Sequence, residues 1–242
     1  MQQHLPDSAA TAEDVRLSTG YYLNLNALSP YLARLLARCQ TVFDVKPAVV
    51  ADLDDPTACG LDADRGGTIE SGALCQGDVI VQEGARIEAG AQVVGPVLVC
   101  CGAVIGAGAL VRDYAVIGPG CRIGFGADIT RSLLAGHVFA KHPCFVGDSV
   151  VGYRVNLGAF CSTTGLRCDR GPVAEPAIEE ITVTLDGRRI SSGQTKFGAV
   201  IGDEVALPAG TVLSPGTLIG PRSVVYPHNH IGGFLPAGSR VR

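Results

Sequence analysis

Between Ile69 and Ile129 the chain returns to an aliphatic or small apolar residue every six positions. Val81, Ile87, Val93, Val99, Ile105, Val111, Ile117, Ile123 and Ile129 form the unbroken part of the column, and Cys75 and Ile69 extend it backwards. Two positions before most of them lies a small residue: Ala85, Ala91, Ala103, Ala109, Ala115, Cys121 and Ala127. The column resumes at Ile201, Leu207, Leu213, Ile219, Val225 and Ile231. A helix requires apolar residues at spacings of three and four, and an ordinary strand alternates by two, so a strict six suits neither. It suits a hexapeptide β-helix, in which short strands form the flat sides of a coil and stacked coils extend three parallel sheets. Each coil buries the face of the next, so several are needed for stability.

The rest of the composition agrees with a narrow, layered interior. Trp is absent and aromatic residues make up 5%, so the core is built of Val, Ile, Leu and Ala. Mean hydropathy is +0.29 and net charge −4, without a basic stripe, which argues against a nucleic-acid partner. No charged-then-apolar leader and no apolar run of bilayer length is visible, so a cytoplasmic protein away from membranes is expected. The nine cysteines show no CxxC pairing. Cys75 and Cys121 sit in repeat slots and read as reduced core residues.

Three stretches depart from the hexads. Residues 1–66 are expected to be an N-terminal helical and loop cap: a loose tail, then a helix in "LSPYLARLLARCQ" capped by Ser29 with Pro30 in its first turn, then a loop-rich connector over 45–67. The helix is expected to plug the open first coil of the repeat domain, residues 67–242. The phase slips between Ile129 and Leu157, recovering through Leu134, Val146 and Val151 with two steps of five. Distorted corners beside polar residues suggest a site, although a tolerated bulge is equally allowed. Residues 163–197 form an excursion in which "GPVAEPA" reads as a turn and "ITVTLDGRRI" as a hairpin turning at Asp186-Gly187. An excursion of that size is usually functional or an assembly contact.

The stretches "VRDYAVIGPGCRIGFGADI", "AKHPCFVGDSVVGYRVNLGA" and "GRRISSGQTKFGAVIGDEV" carry a family resemblance over residues 70–230. The sequence resembles the acetyltransferase half of the bifunctional glucosamine-1-phosphate acetyltransferase/N-acetylglucosamine-1-phosphate uridylyltransferases, most of all the archaeal sugar-phosphate nucleotidylyltransferase/acetyltransferases. The resemblance implies an all-β, left-handed parallel β-helix acting as a homotrimer. It implies acetyl transfer from acetyl-CoA to the amine of an amino sugar phosphate or nucleotide amino sugar, with no metal required. By the same resemblance His142 is the general base and Asp128 the carboxylate that orients it. Arg112 grips the substrate phosphate, Asn156 contacts the sugar, and Lys196 closes on it from the excursion. Ala159, Ala209 and Pro227 line the acetyl-CoA site.

The sequence departs from that pattern. Phe145 stands where the family has an aromatic hydroxyl, still placed to line the substrate. A sugar-binding lysine falls on Thr130, with Arg131 adjacent as a substitute. Phe160 replaces a glycine beside Ala159, and a protein without the nucleotidylyltransferase half is expected. Without the resemblance, His142 reads as an exposed loop histidine, His137 as a surface residue, and His228 and His230 as a solvent-facing pair. Arg112 alone reads as a surface charge. The alternative function is a non-catalytic hexapeptide-repeat scaffold that binds a sugar nucleotide or regulates a partner.

Overall fold

A computed structural model describes residues 14–61, 65–167, 172 and 178–242. The expected tail at the start and the expected turn over 171–177 fall outside the described residues, wholly or almost so. The chain winds as a left-handed parallel β-helix of about nine turns. Its three sides are sheet A of nine strands, beginning at Thr68–Ile69, sheet B of eight, beginning at Leu74–Gln76, and sheet C of eight, beginning at Val79–Val81. Every ladder in them is parallel, and successive coils pair in register, as in Arg86↔Val104 and Val104↔Arg122. The hexad column points inward throughout: Ile87, Val93, Val99, Ile105, Val111, Ile117 and Ile129 are 0% exposed. Cys121 takes its expected place in that core, and burial pushes its thiol up to about 12.

Sheet C differs from the other two because its outward residues are apolar as well. Ile80, Leu98, Val116, Leu133, Val150, Val200 and Leu218 are all buried. They recur once per coil and form a ridge along the outside of the solenoid. A sheet apolar on both faces needs a layer on each, and residues 15–54 supply the outer one. Helix α1 (Thr19–Tyr22), helix α2 (Pro30–Ala37) and helix α3 (Val45–Asp54) pack on this ridge through Tyr22, Leu32, Leu35, Leu36, Val45 and Val49. The N-terminal segment therefore lies along the flank of the coil, not over its open end, because its apolar side chains bury against this ridge.

Helix α2 starts as the sequence predicts, with Ser29 Oγ accepting from Leu32 N–H and Pro30 opening the helix. Helix α3 replaces part of the expected connector. Its Pro47 lies in the first turn, where a missing N–H removes no intrahelical bond. The excursion leaves the coil at the corner between sheets B and C. Its hairpin, Thr182–Leu185 and Arg188–Ser191, turns at Asp186-Gly187 with both residues at positive φ. Ile181, Val183, Leu185, Ile190 and Phe197 tuck it into the same outer cluster. No helix among the described residues is long and apolar enough to cross a membrane.

Candidate functional site

The corner between sheets A and B presents one residue per coil at its tip. In chain order these are Ala89, Ala107, Phe125, His142, Ala159, Ala209 and Pro227, as the strand registers require. The corners also bond directly from coil to coil: Phe160 N–H donates to Pro143 O at 2.6 Å, and Gly210 N–H to Ala159 O at 2.8 Å. With parallel strands about 4.8 Å apart, Ala159, Ala209 and Pro227 extend from His142 over roughly 14 Å of corner. Four of the expected site residues thus share one edge.

His142 is exposed and hydrogen-bonds to no described residue. On sheet B beside it lies Phe145, and on sheet A lies exposed Asn156, paired in register with Phe139. The ring of Phe145 leans over Gly147, where a Cβ would come within 2.7 Å of Cζ, so only glycine lets the ring lie flat on the sheet. Phe125 and Phe160, one coil to either side, are each 71% exposed and flank the histidine with apolar surface.

The expected His142–Asp128 pair does not form within the chain. Asp128, outward on sheet B, receives Arg112 Nε at 3.2 Å and Nη2 at 3.0 Å, one bond to each carboxylate oxygen. Arg112 Nη1 also donates to Asp113 at 2.8 Å. These bonds, Asp128 first, raise the already high pKa of the guanidinium. Asp128 therefore orients Arg112, which it holds flat against sheet B.

Arg131 and Lys196 lie elsewhere, at the corner between sheets B and C. A strand of four residues, Cys144–Gly147, separates that corner from His142, about 13 Å of extended chain. The two five-residue steps of the sequence are the corners at Arg131 and Asp148, both non-glycine residues at positive φ (45° and 52°). Arg131 pairs with the buried Asp148 at 2.9 Å, and Lys46 of helix α3 reaches the same carboxylate at 3.1 Å. No sequence pattern marks Lys46, because its role depends on where helix α3 docks. The phase slip was the signal for the corner itself.

His230 Nε2 lies 2.8 Å from Ser214 Oγ on the outer face of sheet B. Among the described residues no three His, Cys, Asp or Glu side chains gather as metal ligands.

Residues 93–231 match the family described as the GMPPB C-terminal domain. The bifunctional sugar-1-phosphate nucleotidylyltransferase/acetyltransferase of Sulfurisphaera tokodaii is 38% identical over 86 residues, 36% of this chain and 20% of that protein. The bifunctional protein GlmU of Methanocaldococcus jannaschii is 34% identical over 160 residues, 66% of this chain and 37% of that protein. The matched stretch is thus a minor part of either relative. Among solved structures, the polySia-specific acetyltransferase NeuO aligns with 72% of this chain and 76% of its own at 13% identity, with a TM-score of 0.38.

Proposed function

The chain belongs to the GMPPB C-terminal domain family, and on that premise we propose that it is an acyl-CoA-dependent N-acyltransferase with His142 as general base. The observation that carries this reading is the single edge shared by His142, Ala159, Ala209 and Pro227. An extended pantetheine arm laid along that corner meets small residues and brings its thioester to the histidine. The amine nitrogen of the acceptor attacks the thioester carbonyl, its proton passes to the imidazole, the C–S bond breaks, and the proton goes on to the departing thiolate. The Ala159 N–H donates to no described group and is available to the oxyanion.

Acetyl-CoA is the donor we favour, and an amino sugar phosphate or nucleotide amino sugar the acceptor, since the Sulfurisphaera tokodaii relative is named for a sugar 1-phosphate and for acetyl transfer. Arg112 offers a guanidinium fork to a phosphate, at the cost of its bond to Asp128. Phe145 and Asn156 line the acceptor on the two faces beside the tip. Helices cover sheet C, which leaves sheets A and B for neighbouring copies in a homotrimer. The described cysteines are all free, which fits a reducing cytoplasmic setting.

The second reading, a sugar-nucleotide-binding scaffold, is favoured by one observation: among the described residues no carboxylate hydrogen-bonds to His142. Free-CoA release from acetyl-CoA over a panel of amino sugars, their 1-phosphates and nucleotide derivatives separates the two. Amine-dependent release that drops roughly 10²- to 10⁴-fold in His142→Ala is expected. No release, with stabilisation by sugar nucleotides and none by acetyl-CoA, would establish the scaffold.

A further inference from the structure

The chain has seven phenylalanines, and they divide into two groups. Phe43 and Phe197 are buried in the outer layer on sheet C, and Phe234 packs against it. The other four, Phe125, Phe139, Phe145 and Phe160, stand within one coil of His142. None of these four is buried. Apolar surface left open to water and gathered around a polar group marks a place where something binds.

Their placement is specific. Phe125 is the corner residue one coil before His142, and its ring lies along the corner over Gly108, where a Cβ would come within 2.5 Å of Cδ2. Phe160 holds φ at 62°, at a corner position where Gly90, Gly108, Gly126 and Gly210 hold φ between 73° and 83°. A bulky side chain in the left-handed region is strained, and strain of this kind gathers at ligand sites. Lys141, next to His142, carries its ammonium over the ring of Phe139 at 4.8 Å, on sheet A.

The corner has a direction. On one side of His142 it runs through Ala159, Ala209 and Pro227, the path given to the pantetheine arm. On the other side it runs through Phe125-Gly126, Ala107-Gly108 and Ala89-Gly90, and none of these six residues carries a polar side-chain atom. Phe125, Ala107 and Ala89 are all exposed. The carboxylate of Glu88 closes the strip, since its Oε2 would lie 3.4 Å from a Cβ on Gly106, two coils before His142. An acyl chain continues the line of the arm past the thioester carbonyl, and so runs from His142 onto this apolar strip.

We infer that the strip headed by Phe125 receives the hydrocarbon chain of the acyl donor, so that donors extend from acetyl-CoA to longer straight-chain acyl-CoA thioesters. The inference rests on the reading of His142 as the base of acyl transfer. The step itself is unchanged: the amine takes the acyl carbon from sulfur and its proton passes to His142, with only the chain behind the carbonyl longer. Phe125 and Ala107 set the range, because two coil steps before the Glu88 carboxylate measure roughly 10 Å, room for about six carbons. Phe160 stands beside Ala159, where the thioester end of the arm passes.

Calorimetric titration of the full chain with CoA, acetyl-CoA, butyryl-CoA, hexanoyl-CoA and decanoyl-CoA reads the strip without turnover. Affinity should rise about twofold per methylene, half the effect of full burial, so hexanoyl-CoA binds roughly tenfold tighter than acetyl-CoA, with no further gain at decanoyl-CoA. Phe125→Ala should weaken hexanoyl-CoA at least fivefold more than acetyl-CoA, and Phe125→Leu should restore most of the difference. Ala107→Glu should remove the gain between butyryl-CoA and hexanoyl-CoA. Free-CoA release from the same donors over the amine panel, in the native chain and in His142→Ala, reads the transfer separately. Chain-length-dependent binding without His142-dependent release would uphold the strip and remove the transferase. His142-dependent release from acetyl-CoA, with affinity flat along the series, would uphold the transferase and overturn the inference. A rise in affinity that survives both Phe125→Ala and Ala107→Glu would place the chain elsewhere and overturn it too, as would the absence of binding by every thioester.

Discussion

Leu98→Ala tests whether residues 15–54 are an attached layer or part of the solenoid core. Leu98 is 0% exposed, but it points outward from sheet C, so the helical segment and its neighbours on the ridge are what bury it. The substitution removes three carbons, worth about 2.4 kcal/mol of transfer free energy at 0.8 kcal/mol each. The cavity left beneath the helices brings the cost to roughly 3 kcal/mol. That loss falls on docking, because the inward column (Val81, Val99, Ile117) is untouched on the other side of the sheet. Native-state hydrogen exchange reads the difference. Amides of helix α2 should exchange about 100-fold faster in the variant, while those of the inner coil strands stay within a factor of three. If helix and coil amides accelerate together, the segment and the coil unfold as one unit and the argument fails. It fails as well if neither changes, since Leu98 would then contribute nothing to docking.

Two further predictions concern carboxylates bonded to the N-terminal segment, Asp203 from the coil and Asp14 within the segment itself. Asp203 accepts from Asn24 N–H and Tyr153 N–H, each at 2.7 Å, and Asp203→Ala leaves both donors unpaired, costing roughly 2–4 kcal/mol in denaturant unfolding. Burial raises its pKa above the ordinary 3.8, so its contribution is full below that value and is lost as pH rises through the folded-state pKa; Asp203→Asn should remove that part of the stability–pH slope. Asp14 behaves oppositely. Hydrogen bonds from Arg16 hold its carboxyl below 3.8, so the contribution present above that pH disappears as pH falls, and the difference in Tm between the native chain and Arg16→Gln should shrink below pH 3.8; a constant difference down to pH 2 would refute the pairing.

The coil and the edge that carries His142 were both legible in the sequence, because both depend on local spacing. An inward residue every six positions is a property of one strand and one turn, and stacking merely repeats it. Once the period is known, the shared edge of His142, Ala159, Ala209 and Pro227 follows from counting residues, excursion apart. The hairpin at Asp186-Gly187 and the Ser29 start of helix α2 are local in the same sense. The ridge from Ile80 to Leu218 was also present in the sequence, as outward apolar residues once per coil, but its meaning was not. An apolar outer row requires a covering layer, and only packing decides whether that layer is a second copy, a plug or the chain's own helices. The pairing of Asp128 with Arg112, not His142, was decided by the register of adjacent coils and the reach of a guanidinium. Lys46, roughly 100 residues from the carboxylate it meets, left no mark in the sequence, since nothing local depends on that contact. Short-range geometry repeats along a chain and can be read there; charge pairs and docked layers are chosen by the folded surface as a whole.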